Sequence, residues 1–318
     1  MESKWFLCNR RGFEPVYLKA LESGLLEKKA GQALRMLEHC SVCPRNCGVN
    51  RLEDENGFCR VGRNALVSSF VPHHGEEKCL RGCSGSGTIF FSGCNLRCVF
   101  CQNCDISWLA HGRGLNASQI ADCILGLQEM GCHNINLVTP EHVVPQVIES
   151  IFIAANKGLR LPVVYNSSSY DSLECLKLLD GVVDVYMPDF KLWSEPLCSK
   201  YLGAKDYALH AREAIKEMHR QVGELKFDEN GLVLRGVLVR HLVMPGLLSE
   251  TEEIMRFLAS VSKDIYVNVM DQYYPAGLVS LPEYRERFRE LYRIASRDEW
   301  KRALALAKKA GLHRFENH

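Results

Sequence analysis

Six short apolar runs recur along the middle of the chain, and amphipathic segments separate them. They are TIFFSG (Thr88–Gly93), NINLVT (Asn134–Thr139), LPVVYNSS (Leu161–Ser168), VVDVYMPD (Val182–Asp189), GVLVRHLVM (Gly236–Met244) and IYVNVMD (Ile265–Asp271). Runs of this length, nearly continuous in apolar residues, read as strands buried on both faces. Between them lie helical patterns. One opens at Ser118 as N-cap, places Ile120, Cys123, Ile124 and Leu127 on one face, and ends at Gly131. Others span Val143 to Gly158, Ser172 to Asp180 and Asp206 to Val222, and SETE (Ser249–Glu252) is a capping box opening a further helix. This alternation predicts an α/β fold built on a parallel sheet with right-handed crossovers: an incomplete (β/α) barrel or an open doubly wound sheet. Both place the active site at the C-terminal ends of the strands. A helical pattern fills the first 40 residues, and the charged segment 283–315 reads as one or two closing helices.

Composition narrows the function. No apolar stretch in the 318 residues approaches the length of a membrane span, and the N-terminus MESKWFLCNRRGFEP lacks a secretory apolar run, which predicts a cytoplasmic protein. With 39 basic and 38 acidic residues there is no electrostatic case for nucleic acid or an anionic membrane. The 15 cysteines are therefore not presumed to be disulfides; in a reducing compartment, closely spaced ones read as metal ligands.

GCNLRCVFCQNC, Gly93 to Cys104, holds four of them. Cys94, Cys98 and Cys101 follow the first strand of the alternation, at the catalytic end of the sheet. Three thiolates leaving one compact loop suit a single iron–sulfur cubane clasped on three irons better than a structural zinc site, which pairs well-separated knuckles. Cys104 is either a fourth ligand closing the cluster or a free thiol beside it.

The C-x3-C-x2-C spacing with Phe100 before the last cysteine resembles the signature of the radical S-adenosylmethionine (SAM) enzymes. SGSGTIFFSGCNLRCVFCQN as a whole looks like their pyruvate formate-lyase activating enzyme-like (PflX-type) branch. The resemblance covers about Ser68 to Pro275. It implies a partial (β/α)6 TIM-like barrel, a [4Fe–4S] cluster on Cys94, Cys98 and Cys101, and SAM chelating the fourth iron. It further implies reductive cleavage of SAM to a 5′-deoxyadenosyl radical that abstracts hydrogen. Glu141, in NINLVTPEH, maps to the acid that holds the SAM amino group, in place of the usual Gly-Gly-Glu, with Thr139 as an accompanying contact. Asn166, Ser167 and Ser168 stand where the ribose or methionine part is reached. Asp189 and Lys191 match an Asp-x-Lys element that contacts SAM. Arg240 matches an arginine that neutralises the SAM carboxylate, with His241 beside it. Asn268, Met270, Gln272 and Tyr273 end the last strand. Each has a structural reading too: Glu141 complements a helix macrodipole, Ser167 to Ser169 cap a helix, Asp189 pairs with Lys191, and Arg240 joins an ion pair.

Upstream, Cys40, Cys43, Cys47 and Cys59 form C-x2-C-x3-C-x11-C in a loop-rich stretch, a pattern that recurs ahead of the radical domain in PflX-like proteins. Four thiolates fit a second metal, an auxiliary iron–sulfur cluster or zinc. PHHGEEKCLRGC places His73, His74, Glu76 and Glu77 before the first strand, either facing substrate or plugging the barrel. Cys79 and Cys83 lack an obvious second half. The glycines of GCSGSG lack the ending of a phosphate loop, which excludes a nucleotide triphosphate site. The expected division is 1–67 (N-terminal helix and four-cysteine metal-binding segment), 68–280 (partial barrel) and 281–318 (C-terminal helices). The function implied is SAM-dependent radical generation, with glycyl-radical activation of a partner protein as the first reading. Radical modification of another peptide or a small molecule is the second, and a non-catalytic iron–sulfur electron-transfer protein is the third. An external reductant of flavodoxin or ferredoxin type is expected, since no flavin or nicotinamide fingerprint is present.

Overall fold

The computed structural model describes residues 6–316. Ten strands form one mixed sheet: β1 (Ala65–His73), β2 (Ser86–Phe91), β3 (Arg113–Leu115), β4 (Ile135–Val138), β5 (Val163–Ser167), β6 (Val185–Pro188), β7 (Lys226–Phe227), β8 (Val233–Leu242), β9 (Tyr266–Met270) and β10 (Arg314–Phe315). Their order is β10-β9-β8-β6-β5-β4-β2-β1-β3, with β7 paired to β8 off that path. All six strands expected from the sequence are present, as β2, β4, β5, β6, β8 and β9, and successive ones pair in parallel.

The sheet is not purely parallel. β1 runs antiparallel to both β2 and β3, and β7 antiparallel to β8. The reason lies in β1 itself: of ALVSSFVPH only Ala65 and Val67 are buried, so one face meets solvent. An antiparallel edge tolerates that, whereas a central parallel strand does not.

Helices link consecutive parallel strands and bury apolar stripes against them. Ile120, Ile124 and Leu127 do so on Ala117–Glu129, and Val147, Ile148 and Ile151 on Val144–Asn156. Leu173–Leu179, Tyr207–Val222 and Leu248–Val261 complete the set. Two starts differ from expectation. The cap of the first helix is Asn116, in a capping box with Gln119, rather than Ser118. The SETE segment lies within a helix that already begins at Leu248 without a side-chain cap. Glu252, the acid of the expected box, accepts from Arg256 Nη2 at 2.7 Å, and Glu250 accepts from the Trp193 and Ser194 backbone N–H groups (2.7 and 2.8 Å).

The N-terminal helical pattern is two helices, Val16–Glu22 and Leu25–Arg35, joined through left-handed Gly24. The closing segment is a series of 3-10 turns and one α-helix, Arg297–Ala310, with a Ser296–Glu299 capping box. No helix among the described residues is long and apolar enough to cross a membrane.

Asp184, fully buried, ties the N-terminal helices to the sheet by accepting from Val16 N and Val163 N, both at 2.9 Å. Burial raises its carboxyl pKa to about 7, against about 3.9 in an unfolded chain. The folded state thus binds the extra proton between those values. The associated stability is complete below about pH 4 and is lost as pH rises through 7. Asp184→Asn should lower stability by about 1–3 kcal/mol, because an amide N–H₂ meets one of two N–H donors. It should also shrink the fall in the urea midpoint between pH 5 and pH 8.

Candidate active site

β2 delivers the chain into the central cysteine loop through Gly93, whose φ is +82°. A Cβ there would lie 2.5 Å from the Cys59 carbonyl oxygen, so only glycine lets the two cysteine segments approach this closely. Cys94 and Cys98 are buried and Cys101 half-buried. Backbone N–H groups aim at the sulfurs: Leu96 N lies 3.3 Å from Cys94 Sγ, and Asn103 N–H serves Cys101, which also meets Ser107 Oγ at 3.1 Å. Burial pushes the Cys94 thiol up to about 12 and the Cys98 thiol higher still, with Lys191 pulling Cys98 back towards the thiolate. Thiols so placed become anionic only beside added positive charge, as a metal supplies.

These three cysteines line a cavity of about 300 Å³ whose opposite wall is made by strand ends. Thr139 follows β4, Asn166 and Ser167 end β5, Asp189 follows β6, and Arg240 and Leu242 end β8; Met270 and Gln272 close the ring from β9. Cys104 is the first residue of the short helix Cys104–Ser107 next to the loop. Thr139 is held at φ +56°, a strained setting for a β-branched residue, by Thr139 N donating to Asn166 O at 2.9 Å. A larger open hollow of about 540 Å³ lies on the outer side of β1 and β3 and contains none of these groups.

Charge is concentrated on this wall. Asp189 accepts from Lys191 Nζ at 2.6 Å and from Arg240 Nε at 2.7 Å, and Arg240 Nη2 donates to Asn166 Oδ1 at 2.7 Å. Burial opposes the Asp189 charge, but Arg240 and Lys191 outweigh it and hold the carboxyl below its usual range. Arg240 Nη1 is left with two carboxylates at 3.9 Å, Glu76 and Glu77. Glu77 is fixed by Asn268 Nδ2 at 2.9 Å, which holds the PHHGEE segment against Arg240. Burial raises the Glu76 pKa to about 8, with neighbouring Glu77 adding to it.

Glu141 sits behind the wall, fully buried. Its Oε1 accepts from Ser168 Oγ and, at 3.3 Å, from Ser168 N, while Oε2 has no hydrogen-bond partner. Burial, then the charge of Asp171, raises its pKa to about 8. Ser167 has its hydroxyl engaged with Asp171 and with Ser169 N (2.9 Å), so it shapes the turn. His241 faces the helices, bonded to Phe190 O and Thr251 Oγ1 (2.8 and 2.9 Å), on the side of β8 opposite Arg240. Asp171 was not singled out by the sequence; its role depends on Tyr165 and Ser167 folding back onto it.

The N-terminal cysteines form a second set. Cys40, Cys43 and Cys59 are buried and Cys47 half-buried. Each sulfur has an N–H donor: Arg51 Nη1 for Cys40 (3.7 Å), Arg45 N for Cys43, Phe58 N for Cys47 (3.4 Å) and Val61 N for Cys59. Arg51 is 1% exposed and no carboxylate pairs with it among the described residues. A buried guanidinium needs a counter-charge, and the neighbouring sulfurs are what this loop offers. No group of three or more His, Cys, Asp or Glu side chains among the described residues closes on a single ion.

Residues 88–258 match the model of the Radical SAM superfamily. Uncharacterized protein MJ0674 of Methanocaldococcus jannaschii is 33% identical over 304 residues, 93% of this chain and 82% of that one. Two crystal structures of Streptococcus suis SuiB, one bound to the precursor peptide SuiA, align with TM-scores of 0.45 and 0.44 at 10% identity. They cover 70% of this chain, which spans 46% of theirs.

Proposed function

Because the chain belongs to the radical SAM superfamily, we propose that its cavity binds SAM against a [4Fe–4S] cluster held by Cys94, Cys98 and Cys101. The superfamily uses that cluster and an electron donor to cleave SAM. When bound, the cluster would supply one electron for cleavage of SAM to methionine and a 5′-deoxyadenosyl radical that abstracts hydrogen from substrate. The observation that carries the reading is the sharing of one cavity by three thiols and the Asp189–Lys191–Arg240 group, all at strand C-termini.

The chain's own residues orient and shield. The three cysteines would hold three irons of the cluster and leave the fourth for the amino and carboxylate groups of SAM. Glu141 Oε2, buried without a hydrogen-bond partner just behind the cavity wall, is the acceptor for an N–H of the SAM amino group. Arg240 offers Nη1 to the carboxylate, since its nearest acids stand at 3.9 Å rather than in hydrogen-bond contact. Asp189 fixes both cations of the wall, and Ser167 holds the turn that carries Ser168 to Glu141. Thr139 and Asn166 line the remaining wall. A partial (β/α)6 barrel, with residues 1–67 and 281–318 as N- and C-terminal additions, is the architecture this reading adopts.

The N-terminal set is read as the site of a second metal. The buried Arg51 cation favours thiolates there, and four thiolates suit an iron–sulfur cluster or zinc. Resemblance to the PflX-type branch points to a glycine Cα–H in a partner protein as the hydrogen source.

Anaerobic reconstitution with dithionite and SAM tests the function: 5′-deoxyadenosine should form, and its absence contradicts the proposal. Glu141→Gln should raise the KM for SAM about 10- to 100-fold, the scale of a lost charge-assisted hydrogen bond, with a smaller change in kcat.

A further inference from the structure

Three arginines meet at the seam between the two cysteine loops. The Arg45 and Arg97 guanidiniums lie 4.0 and 4.4 Å from the centre of the Phe58 ring. Arg60 stands two residues beyond Phe58 in the same loop. Their hydrogen bonds go to backbone carbonyls. Arg45 donates to Asn95 O (2.7 Å), Gly203 O (2.9 Å) and Leu96 O (3.4 Å), Arg97 to Phe58 O (2.6 Å) and Arg60 to Trp108 O (3.4 Å). Carbonyls satisfy the donors but carry no counter-charge. Among the described residues no carboxylate stands within 4.0 Å of any of the three. Arg60 is exposed, and beside Trp108 the side chain of Leu109 is 60% exposed.

Both cysteine sets lie directly behind this patch. Phe58 N donates to Cys47 Sγ at 3.4 Å, and Phe58 O accepts from Arg97, the neighbour of Cys98. Arg45 N serves Cys43, while its side chain reaches Leu96 O, and Leu96 N donates to Cys94 Sγ at 3.3 Å. Two chains of bonded groups therefore run between the sets, and the arginines cover them.

We propose that the Arg45–Arg60–Arg97 patch, with Leu109 at its rim, is the docking surface for an acidic one-electron carrier protein. The proposal rests on the reading that both cysteine sets hold redox-active clusters. Positive charge without a carboxylate partner steers an acidic carrier and orients it, and an exposed leucine beside it supplies an apolar anchor. Transfer here needs no bond: the carrier is oxidised by one electron and the enzyme reduced by one.

The test uses reconstituted holoenzyme and an acidic flavodoxin, with affinity measured by calorimetry at low salt. Arg60→Glu should weaken binding about tenfold, and raising salt into the range where surface charges are screened should weaken wild type similarly. Arg256→Glu makes the same charge change on the helix Leu248–Val261, where Arg256 pairs with Glu252 and Glu253, and should leave affinity unchanged. Dithionite-driven 5′-deoxyadenosine formation should be equal in all three proteins. Unaltered flavodoxin affinity in Arg60→Glu, equal weakening by Arg256→Glu, or equally tight binding of duplex DNA overturns the proposal. The dithionite assay needs no carrier, so failure of wild type there counts against the functional reading alone.

Discussion

Cys98→Ala is expected to abolish SAM cleavage and to remove about four irons per chain while the N-terminal set keeps its metal. The sulfur is buried in the cavity wall, and the nearest cation acting on it is Lys191. Two remaining cysteines cannot clasp three irons, and the other sulfur of the wall, the Met270 thioether, is uncharged and cannot replace a thiolate. 5′-Deoxyadenosine should fall below detection by chromatography, a loss of at least about 10³-fold on the scale of removed catalytic groups. Iron and sulfide counts taken beside it separate loss of the cluster from loss of fold. Retained cleavage in this variant would remove Cys98 from the ligand set.

The second large effect is expected at Asp189. Its carboxylate is the one acid hydrogen-bonded to both Lys191 and Arg240, and the three side chains are 16–18% exposed. Truncation to alanine strands two cations in a mostly buried wall, a change that typically costs about 3–5 kcal/mol. Glu76 and Glu77, at 3.9 Å from Arg240, offset part of that and place the effect nearer the lower end. Arg240 then swings free of Asn166, so the KM for SAM should rise together with the fall in urea midpoint. Asp189→Asn keeps an acceptor of the same shape and should lose less stability. Equal stability of Asp189→Ala and wild type would show that the wall does not depend on this acid.

The strand ends were legible because apolar runs bounded by turn residues fix where a parallel strand stops. Asp189, just past β6, and Arg240, on β8, face each other in an isolated bridge beyond the β6–β8 ladder. Edges were harder to read. β1 mixes Ser68, Ser69 and Pro72 into an exposed face, and β3, β7 and β10 are two or three residues long. Local capping signals misled where other partners competed: Ser249 and Glu252 have the spacing of a capping box, yet the helix already begins at Leu248 and Glu252 pairs with Arg256. Ser167 and His241 were placed correctly along the chain, but their polar atoms are engaged by Asp171 and Thr251, which pattern alone does not reveal. The seam between the cysteine loops was invisible for the same reason, since Arg45 reaches Leu96 across 51 residues of sequence.

The central claim is that one iron of the cluster on Cys94, Cys98 and Cys101 has no protein ligand and takes SAM instead. Electron–nuclear double resonance on reduced protein with SAM labelled by ¹⁵N in its amino group and ¹⁷O in its carboxylate reads that contact directly. Hyperfine coupling to both labels, unchanged in Cys104→Ala, is the predicted result. A cluster signal that shows neither coupling, or that disappears in Cys104→Ala, would contradict it.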